Sequence, residues 1–195
     1  MGSGKKAGLK KPRETKKHHR FYGIIKWGCG LLGILVFLSI LQVLSLRYMD
    51  PPSFLMAPFR FIAQGLDPQT PEIIMHWRSF EQISPHVKRA VLAAEDQRFL
   101  THQGFDFIEI NDALKDMASG KGYRGASTIT MQVARTVFLW PARTWIRKGL
   151  EAYYTVLIEL FLTKKRILEV YLNTVDWGKG IRGVGAAAKT YFYVS

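Results

Sequence analysis

The chain has 195 residues, enough for one folded domain with appendages, and its 28 Lys and Arg against 15 Asp and Glu give a formal net charge of +13. Nine of the basic residues stand in the first 26 positions beside a single acidic one, so most of the excess charge is an N-terminal tail and not a nucleic-acid-binding face. The single cysteine, Cys29, excludes an internal disulfide and a cysteine-based zinc site.

An uncharged apolar segment follows the basic tail. It runs from Trp27 to Leu46, 20 residues, which matches the length needed to cross a bilayer core of about 30 Å. The basic flank predicts a cytoplasmic N-terminus, so everything after Arg47 is expected across the membrane. A cleaved signal peptide is the competing interpretation, but it would have a shorter apolar region and a small-residue cleavage site, and none is evident after Leu46.

Four segments are predicted in chain order. They are a basic cytoplasmic tail at 1–26, a transmembrane helix at 27–46, a membrane-proximal linker at 47–69 and a globular domain at 70–195. Residues 1–20 lack an apolar period and are expected to be disordered. Within the linker, the apolar stretch from Phe54 to Ile62 could lie on the membrane surface or pack under the domain.

The globular domain is predicted to be mainly α-helical, because apolar residues recur at helical spacing and no convincing alternating strand or internal repeat is found. Expected helix starts combine capping residues with apolar periodicity. Helices are predicted after Ser84 with Pro85 in the first position, from Asp106 to Met117 with a wide apolar arc, after Ser127 up to a break at Pro141, after Thr144 and after Thr163. The glycines at 178, 180, 183 and 185 predict a loop before residues 186–192.

Two adjacent carboxylates, Glu95 and Asp96, stand where the first of these helices ends. One apolar turn lies behind Glu95, so we expect partial desolvation. Desolvation raises a carboxyl pKa toward the range useful for general acid or base catalysis. The alternative is that both residues are ordinary solvated charges beside Arg98.

Two further clusters could bind anions. Arg147, Lys148 and Glu151 share a helix face and form either a solvated salt bridge or a site where the two cations receive phosphates. The stretch from Gly125 to Gln132 is a glycine turn leading into a helix start, whose free backbone N–H groups suit an anion. A plain N-cap explains Ser127 equally well.

Four motifs stand in order along the chain. They are Glu95-Asp96-x-x-Phe99-x-x-His102-x-Gly104, Gly125-x-Ser127-Thr128-Ile129-Thr130-x-Gln132, Arg147-Lys148-x-x-Glu151 and Lys165-x-Ile167-Leu168-Glu169-x-Tyr171-Leu172-Asn173. In order and spacing they resemble the motifs of the peptidoglycan glycosyltransferases, which occur in class A penicillin-binding proteins and in monofunctional biosynthetic peptidoglycan transglycosylases. The resemblance spans about Ile83 to Phe192, and the single apolar helix and short length resemble the monofunctional type.

The resemblance implies a lysozyme-like helical glycosyltransferase domain that polymerises lipid II by inverting transfer, with release of undecaprenyl pyrophosphate. Glu95 would be the general base, and Glu151 would act at the pyrophosphate. A divalent cation, Mg²⁺ or Mn²⁺, could assist by neutralising charge, with no residue assigned as its ligand. The implied substrate-binding residues are Asp96, Phe99, His102, Gly104, Gly125, Ser127, Thr128, Gln132, Arg135, Arg147, Lys148 and Asn173.

The implied partners are lipid II, the growing glycan strand, the lipid bilayer and proteins of cell-wall synthesis or division, with no nucleic acid. The expected location is the bacterial inner membrane, with a single pass, a cytoplasmic N-terminus and a periplasmic catalytic domain. The helix from Asp106 would correspond to a jaw that contacts lipid.

The sequence departs from the family's usual residues at Met131, Arg135, Thr136 and Gly185, where glutamine, lysine, asparagine and glutamate are common. Known members continue through further helices, so the domain is expected to be shortened at its C-terminus, with reduced stability and activity in doubt. Two alternatives stay open: a glycan-cleaving lysozyme-like enzyme that uses Glu95 as an acid, and an inactive relative that serves as a membrane scaffold.

Overall fold

A computed structural model describes residues 14–51, 74–122, 125–178 and 181–193 of the chain. The chain divides into two compact units, one ending at Leu41 and one beginning at Gln42. The apolar stretch from Phe54 to Ile62 and the predicted start of the domain at residue 70 lie outside the described residues.

The first helix, α1, runs from Glu14 to Tyr48. The expectation of disorder up to residue 20 is therefore wrong from Glu14 onward. Its section Ile25–Tyr48 has a mean hydropathy of 2.4 and is only 17% buried, with Trp27 82% exposed. By length and composition this section could cross a membrane, and a signal sequence near the N-terminus would meet the same criteria.

The second unit is predominantly helical, which confirms the predicted fold class. It also contains three short strands in the order β1-β3-β2, with β1 parallel and β2 antiparallel to β3. These strands were not expected, because two or three residues are too few to show an alternating pattern. The described elements after α1 are β1 (Ile74–Met75), α2 (Pro85–Glu95), α3 (Phe107–Ala118), α4 (Ile129–Phe138), α5 (Trp145–Phe161), α6 (Lys164–Thr174), β2 (Asp176–Gly178), β3 (Ile181–Arg182) and α7 (Val184–Phe192).

Side-chain caps start most of these helices where the sequence predicts them. The hydroxyls of Ser84, Thr144 and Thr163 each accept a hydrogen bond from a backbone N–H in the first turn of α2, α5 and α6. The predicted cap of α4 is wrong by one residue: Thr128, not Ser127, accepts the hydrogen bond from the first turn. Thr128 is buried, and its hydroxyl also donates to a backbone carbonyl of a distant loop.

The core of the second unit lies around α4, which packs against α5 and α6. Six of the ten residues of α4 are buried, and the helix ends at Phe138, shortly before Pro141, as predicted. In contrast, α3 buries none of its residues. Its predicted apolar arc faces outward, with exposed fractions of 75% for Phe107, 59% for Ile108, 54% for Leu114 and 53% for Met117.

Two of the departures noted in the sequence have structural counterparts. Met131 is 6% exposed and belongs to the core, where an apolar side chain is favoured over an amide. Gly185 lies against the chain near β1, because a Cβ at this position would come within 2.3 Å of the carbonyl oxygen of His76. A glutamate at 185 would therefore require the backbone around His76 to move.

Asn173 joins α6 to the segment after β1. Its Oδ1 accepts a hydrogen bond from the backbone N–H of Arg78 at 2.8 Å, and its Nδ2 donates to the carbonyls of Arg78 and Glu169, each at 2.8 Å. Gly183 packs against the backbone of Asn173. Its φ is +79°, and a Cβ at this position would clash with the carbonyl oxygen of Asn173. This junction fixes the short sheet against α6.

We predict that Gly183→Ala destabilises the protein. A backbone with φ of +79° and ψ of 153° costs a non-glycine residue roughly 1–3 kcal/mol, and the contact with the carbonyl oxygen of Asn173 adds to this cost. Denaturant unfolding of the detergent-solubilised chain measures the effect. The matched control is Gly149→Ala in α5, where a Cβ meets nothing within 4 Å. Alanine is the better helix former, so this variant should raise the free energy of unfolding by at most about 1 kcal/mol. Equal unfolding midpoints for the two variants would contradict the prediction.

Candidate active site

Glu95 is the last residue of α2, and its side chain is exposed. The expected partial desolvation of this carboxylate is therefore wrong. Its Oε2 instead accepts a hydrogen bond from Nε2 of Gln132 on α4 at 2.9 Å. Position, and not burial, is what the fold gives to Glu95.

Tyr171 on α6 orients the amide of Gln132. The tyrosine is 3% exposed, and its hydroxyl donates a weak hydrogen bond to Oε1 of Gln132 at 3.5 Å. Burial, and then the charge of Glu95, raises the pKa of Tyr171, against a smaller opposing effect of Arg135. The phenol therefore keeps its proton, and with Oε1 of Gln132 turned toward it, Nε2 faces the carboxylate of Glu95.

Asp96 behaves differently from its neighbour, because its carboxylate is buried, with 6% of the residue exposed. It accepts hydrogen bonds from Nε2 of His102, at 2.9 Å and 3.1 Å to its two oxygens, and from the backbone N–H of Ile129 at 3.0 Å. Nδ1 of His102 accepts from the backbone N–H of Gly104 at 3.2 Å, which places the imidazole proton on Nε2. Asp96 thus ties the end of α2 to the first turn of α4.

Gly104 and Thr128 close this network. The hydroxyl of Thr128 donates to the carbonyl oxygen of Gly104 at 2.6 Å, and Gly104 packs against Thr155 and Glu159 of α5. Asp96, Gly104 and Thr128 are buried, and they hold the loop between α2 and α3 against the start of α4. Through these hydrogen bonds they position the loop and the start of α4.

Asp106 caps α3 and pairs with Arg98. Its Oδ1 accepts from the backbone N–H of Glu109 at 3.0 Å, and its Oδ2 accepts from Nε of Arg98 at 2.7 Å. Burial by itself would raise the pKa of Asp106, but these hydrogen bonds outweigh it, so the pKa lies below its ordinary value. Arg98 also reaches Glu109 at 3.1 Å and thereby fixes α3 to the end of α2.

Asp96, His102 and Asp106 form the one group among the described residues whose ligand-type atoms lie close enough for a metal ion, within 4.8 Å of one another. The carboxylates of Asp96 and Asp106 already accept hydrogen bonds from Ile129 and Arg98, and a cation at this place would have to displace Arg98. This group therefore does not fit a divalent cation, and we derive no catalytic step through one.

The basic cluster on α5 forms as a buried ion network. Glu151 is 1% exposed, and its two oxygens receive Nη1 of Arg147 at 2.6 Å and Nζ of Lys148 at 2.5 Å. Nε of Arg147 also donates to the carbonyl of Ala142. Because Lys148 is 43% exposed at its side chain and Arg147 only 12%, Lys148 is the accessible cation of this cluster.

Glu95 borders two cavities of the second unit. The first, of about 340 Å³, is lined by the end of α2 and by Gly125, Ser127 and Thr128. The second, of about 380 Å³, is lined by Gln132 and Arg135 together with residues of α6, β2 and β3. The structure thus brings predicted substrate-binding residues close to Glu95, but in two separate spaces: those of the turn before α4 line the first cavity, and Gln132 and Arg135 of α4 line the second.

Other predicted site residues lie elsewhere. Arg147, Lys148 and Glu151 line neither of these two cavities. Phe99 and Asn173, at 1% and 0% exposure, are buried, so direct substrate contact does not fit them. Sequence reasoning also missed lining residues of the second cavity. These are Thr136, Tyr171, Thr174, Val175, Asp176 and Arg182, and only Tyr171 stood in a quoted motif.

Comparisons with known proteins identify the family of the chain. Residues 68–195 match the transglycosylase family. Three similar proteins are each named biosynthetic peptidoglycan transglycosylase: one of Shewanella oneidensis is 48% identical over 171 residues, one of Bacteroides thetaiotaomicron 46% over 169, and one of Pseudomonas aeruginosa 47% over 154. The matches cover 87%, 87% and 79% of this chain and 72%, 68% and 66% of the three relatives.

The lowered pKa of Asp106 predicts how Asp106→Asn alters stability with pH. A depressed native pKa stabilises the fold above the unfolded value near 3.8, and this contribution is lost as the pH falls through the native pKa. The variant should be less stable than wild type at pH 7, and the gap should close below pH 3.8. Urea unfolding at several pH values measures it, with Asp116→Asn on the same helix as control. A gap that stays constant on acidification would contradict the prediction.

Proposed function

Because the chain belongs to the transglycosylase family, we propose that it is a membrane-anchored peptidoglycan glycosyltransferase that polymerises lipid II into glycan strands. The observation that carries the proposal is Glu95, an exposed carboxylate that is oriented by Gln132 and borders two cavities. Glycosyl transfer between two saccharides needs a base with space for a sugar on each side, and this arrangement supplies both.

In the proposed reaction Glu95 takes the proton of the acceptor sugar's 4-hydroxyl. The acceptor oxygen attacks the anomeric carbon of the donor, the bond from that carbon to the phosphate oxygen breaks, and undecaprenyl pyrophosphate leaves with the bonding electrons. Attack opposite the leaving group inverts the anomeric configuration. A hydroxyl is a weak nucleophile, so a positioned base contributes to the rate.

Cationic side chains would meet the charge on the leaving pyrophosphate. Arg135 stands beside Glu95 in the second cavity, and Lys148 is the accessible cation of the cluster on α5. Glu151 holds Lys148 and Arg147 through its two oxygens, which leaves the cluster with a net positive charge. We assign Glu151 to orienting these cations and not to proton transfer.

The adjacent carboxylates do not act as a catalytic pair in this proposal. A glycan-cleaving lysozyme-like enzyme uses two carboxyl groups that flank the scissile bond. Asp96 is buried, and its oxygens accept hydrogen bonds from His102 and Ile129, so it cannot serve as the second catalytic carboxyl group. This favours transfer over cleavage as the function of Glu95.

The exposed apolar faces fit a substrate held in a membrane. In addition to α3, three large apolar side chains of α5 face outward: Trp145 is 92% exposed, Ile146 74% and Leu160 70%. Exposed apolar patches mark contacts with proteins, membranes or ligands, and a membrane contact is the one that suits a lipid-linked substrate. We propose that α3 contacts the lipid and that Ile25–Tyr48 anchors the chain in the bacterial inner membrane, with the catalytic domain outside the cytoplasm.

Polymerisation of labelled lipid II by the detergent-solubilised chain tests the function. Glu95→Gln should lower the rate by about 100- to 10,000-fold, the usual contribution of a general base, while leaving the unfolding midpoint unchanged. Glu81→Gln is the matched control, because Glu81 is an exposed carboxylate that pairs with Lys165. Glycan strands that form equally well with Glu95→Gln would refute its role, and degradation of purified peptidoglycan instead of polymerisation would favour the lysozyme-like alternative.

The anchor and its orientation are tested separately. The full chain should stay with bacterial membranes after an alkaline carbonate wash. Replacing Leu35 and Leu38 together by Arg should release it, since each arginine at a helix centre costs about 2.5–3.5 kcal/mol for insertion.

Cys29 is the chain's single cysteine, so Cys29→Ser combined with Arg89→Cys gives one reporter thiol on the globular domain. A membrane-impermeant maleimide should label it in intact spheroplasts; labelling only after lysis would reverse the proposed orientation.

A further inference from the structure

We propose that Arg182 is an anion-binding residue of the second cavity, where its guanidinium receives an acidic group of the substrate beside Glu95. The anion is an oxyanion with several acceptor oxygens, a phosphate or a carboxylate. The identification of that anion as part of the substrate rests on the proposed function. The anion site itself rests on the chemistry of the cavity.

The first observation is the position of Arg182. It lies on β3, where it pairs across the sheet with Asp176 of β2, and both residues line the second cavity. Arg182 is half-buried, and burial lowers its pKa against a smaller opposing effect of Asp176. A guanidinium in such a place is desolvated, which is unfavourable unless an acceptor compensates it.

The second observation is that the protein does not supply that acceptor. Within the described parts of the chain, no carboxylate oxygen lies within 4.0 Å of the Arg182 guanidinium, and no hydrogen bond from its side chain is formed. Asp176 uses Oδ1 to accept the backbone N–H of Gly178 at 2.9 Å. Glu95 in turn receives Gln132. Each carboxylate in the cavity therefore has a donor of its own.

The guanidinium of Arg182 therefore lines the cavity as a hydrogen-bond donor that no acceptor of the described residues engages. Arg135 also lines it and, as far as the described residues show, makes no ion pair either. Two guanidinium groups offer ten N–H donors in planar forks, a geometry that suits bidentate contact with phosphate or carboxylate oxygens. A ligand rich in acceptor oxygens satisfies these donors, whereas a cation or an apolar group does not.

The chemistry of a lipid-linked saccharide offers two sources for the anion. One is the pyrophosphate that links the sugar to the lipid, and the other is a carboxylate of the peptide attached to the sugar. Both are acceptor-rich anions of the kind that Arg182 can bind in bidentate fashion, and the experiment distinguishes them.

Binding of inorganic pyrophosphate to the detergent-solubilised full chain, measured by isothermal titration, tests the site without any catalysis. Arg182→Met should weaken pyrophosphate binding by about 10-fold, since it removes a charge-assisted donor pair. Arg182→Lys should recover part of the affinity, because the charge remains and the fork is lost. Arg89→Met is the matched control, since Arg89 is an exposed arginine of α2 whose side chain, among the described residues, is hydrogen-bonded to His86 and lines neither cavity beside Glu95. The unfolding midpoints of Arg182→Met and Arg182→Lys should equal that of Arg89→Met. Equal pyrophosphate affinities of wild type and Arg182→Met would overturn the proposal.

Steady-state kinetics with lipid II then identify the source of the anion. Arg182→Met should raise KM several-fold with a smaller change in kcat. If the partner is a peptide carboxylate, a substrate amidated at that carboxylate should show the raised KM with the wild-type enzyme. If the partner is the pyrophosphate, amidation should leave the KM of wild type unchanged and the effect of Arg182→Met intact.

The two proposals fail separately. If the wild-type chain makes no glycan but binds pyrophosphate more tightly than Arg182→Met does, the glycosyltransferase function is refuted and the anion site is retained. If wild type and Arg182→Met both polymerise lipid II, with the same KM and the same pyrophosphate affinity, the function is retained and the anion site is refuted.

Discussion

The buried carboxylate of Asp96 is the interaction on which the geometry of the site depends. It accepts hydrogen bonds from the imidazole of His102 and from the first turn of α4, so it joins three segments that are separated in the chain. A charge in this position is stable only while its donors are present, because an unpaired buried carboxylate is far more costly than an unpaired exposed one. Since Glu95 directly precedes Asp96, the network that holds Asp96 also fixes the backbone from which Glu95 projects.

The two adjacent carboxylates consequently have different work to do. Helix α2 ends between them, and the change in backbone direction turns Asp96 inward while Glu95 stays exposed. An exposed carboxylate would ordinarily sample several rotamers. The hydrogen bond from Gln132, itself oriented by the buried hydroxyl of Tyr171, selects the ones that face the cavities. The catalytic proposal for Glu95 therefore relies on the position of its carboxylate.

The charged cluster on α5 shows how a buried ion network can serve the site without stabilising the fold by much. Desolvation of Glu151 offsets a large part of its attraction to Arg147 and Lys148, so such a network is weak evidence for stability. Its effect on the site is to fix two cations on one face of the helix. Arg182 presents the complementary case, a half-buried cation for which the described protein provides no carboxylate partner.

The sequence by itself determined the features that depend on neighbours in the chain. Helical periodicity, the caps Ser84, Thr144 and Thr163, and the i, i+3 and i, i+4 contacts of Glu151 follow from local geometry, and all of them are present in the structure. Tertiary packing decided what local rules cannot reach. It placed Gln132 against Glu95 across 37 positions, made Thr128 the cap through its bond to Gly104, and formed strands of two or three residues by pairing distant segments. It also left Glu95 exposed where the preceding apolar turn predicted partial desolvation, because solvent exposure depends on what packs against a residue and not on which residues precede it.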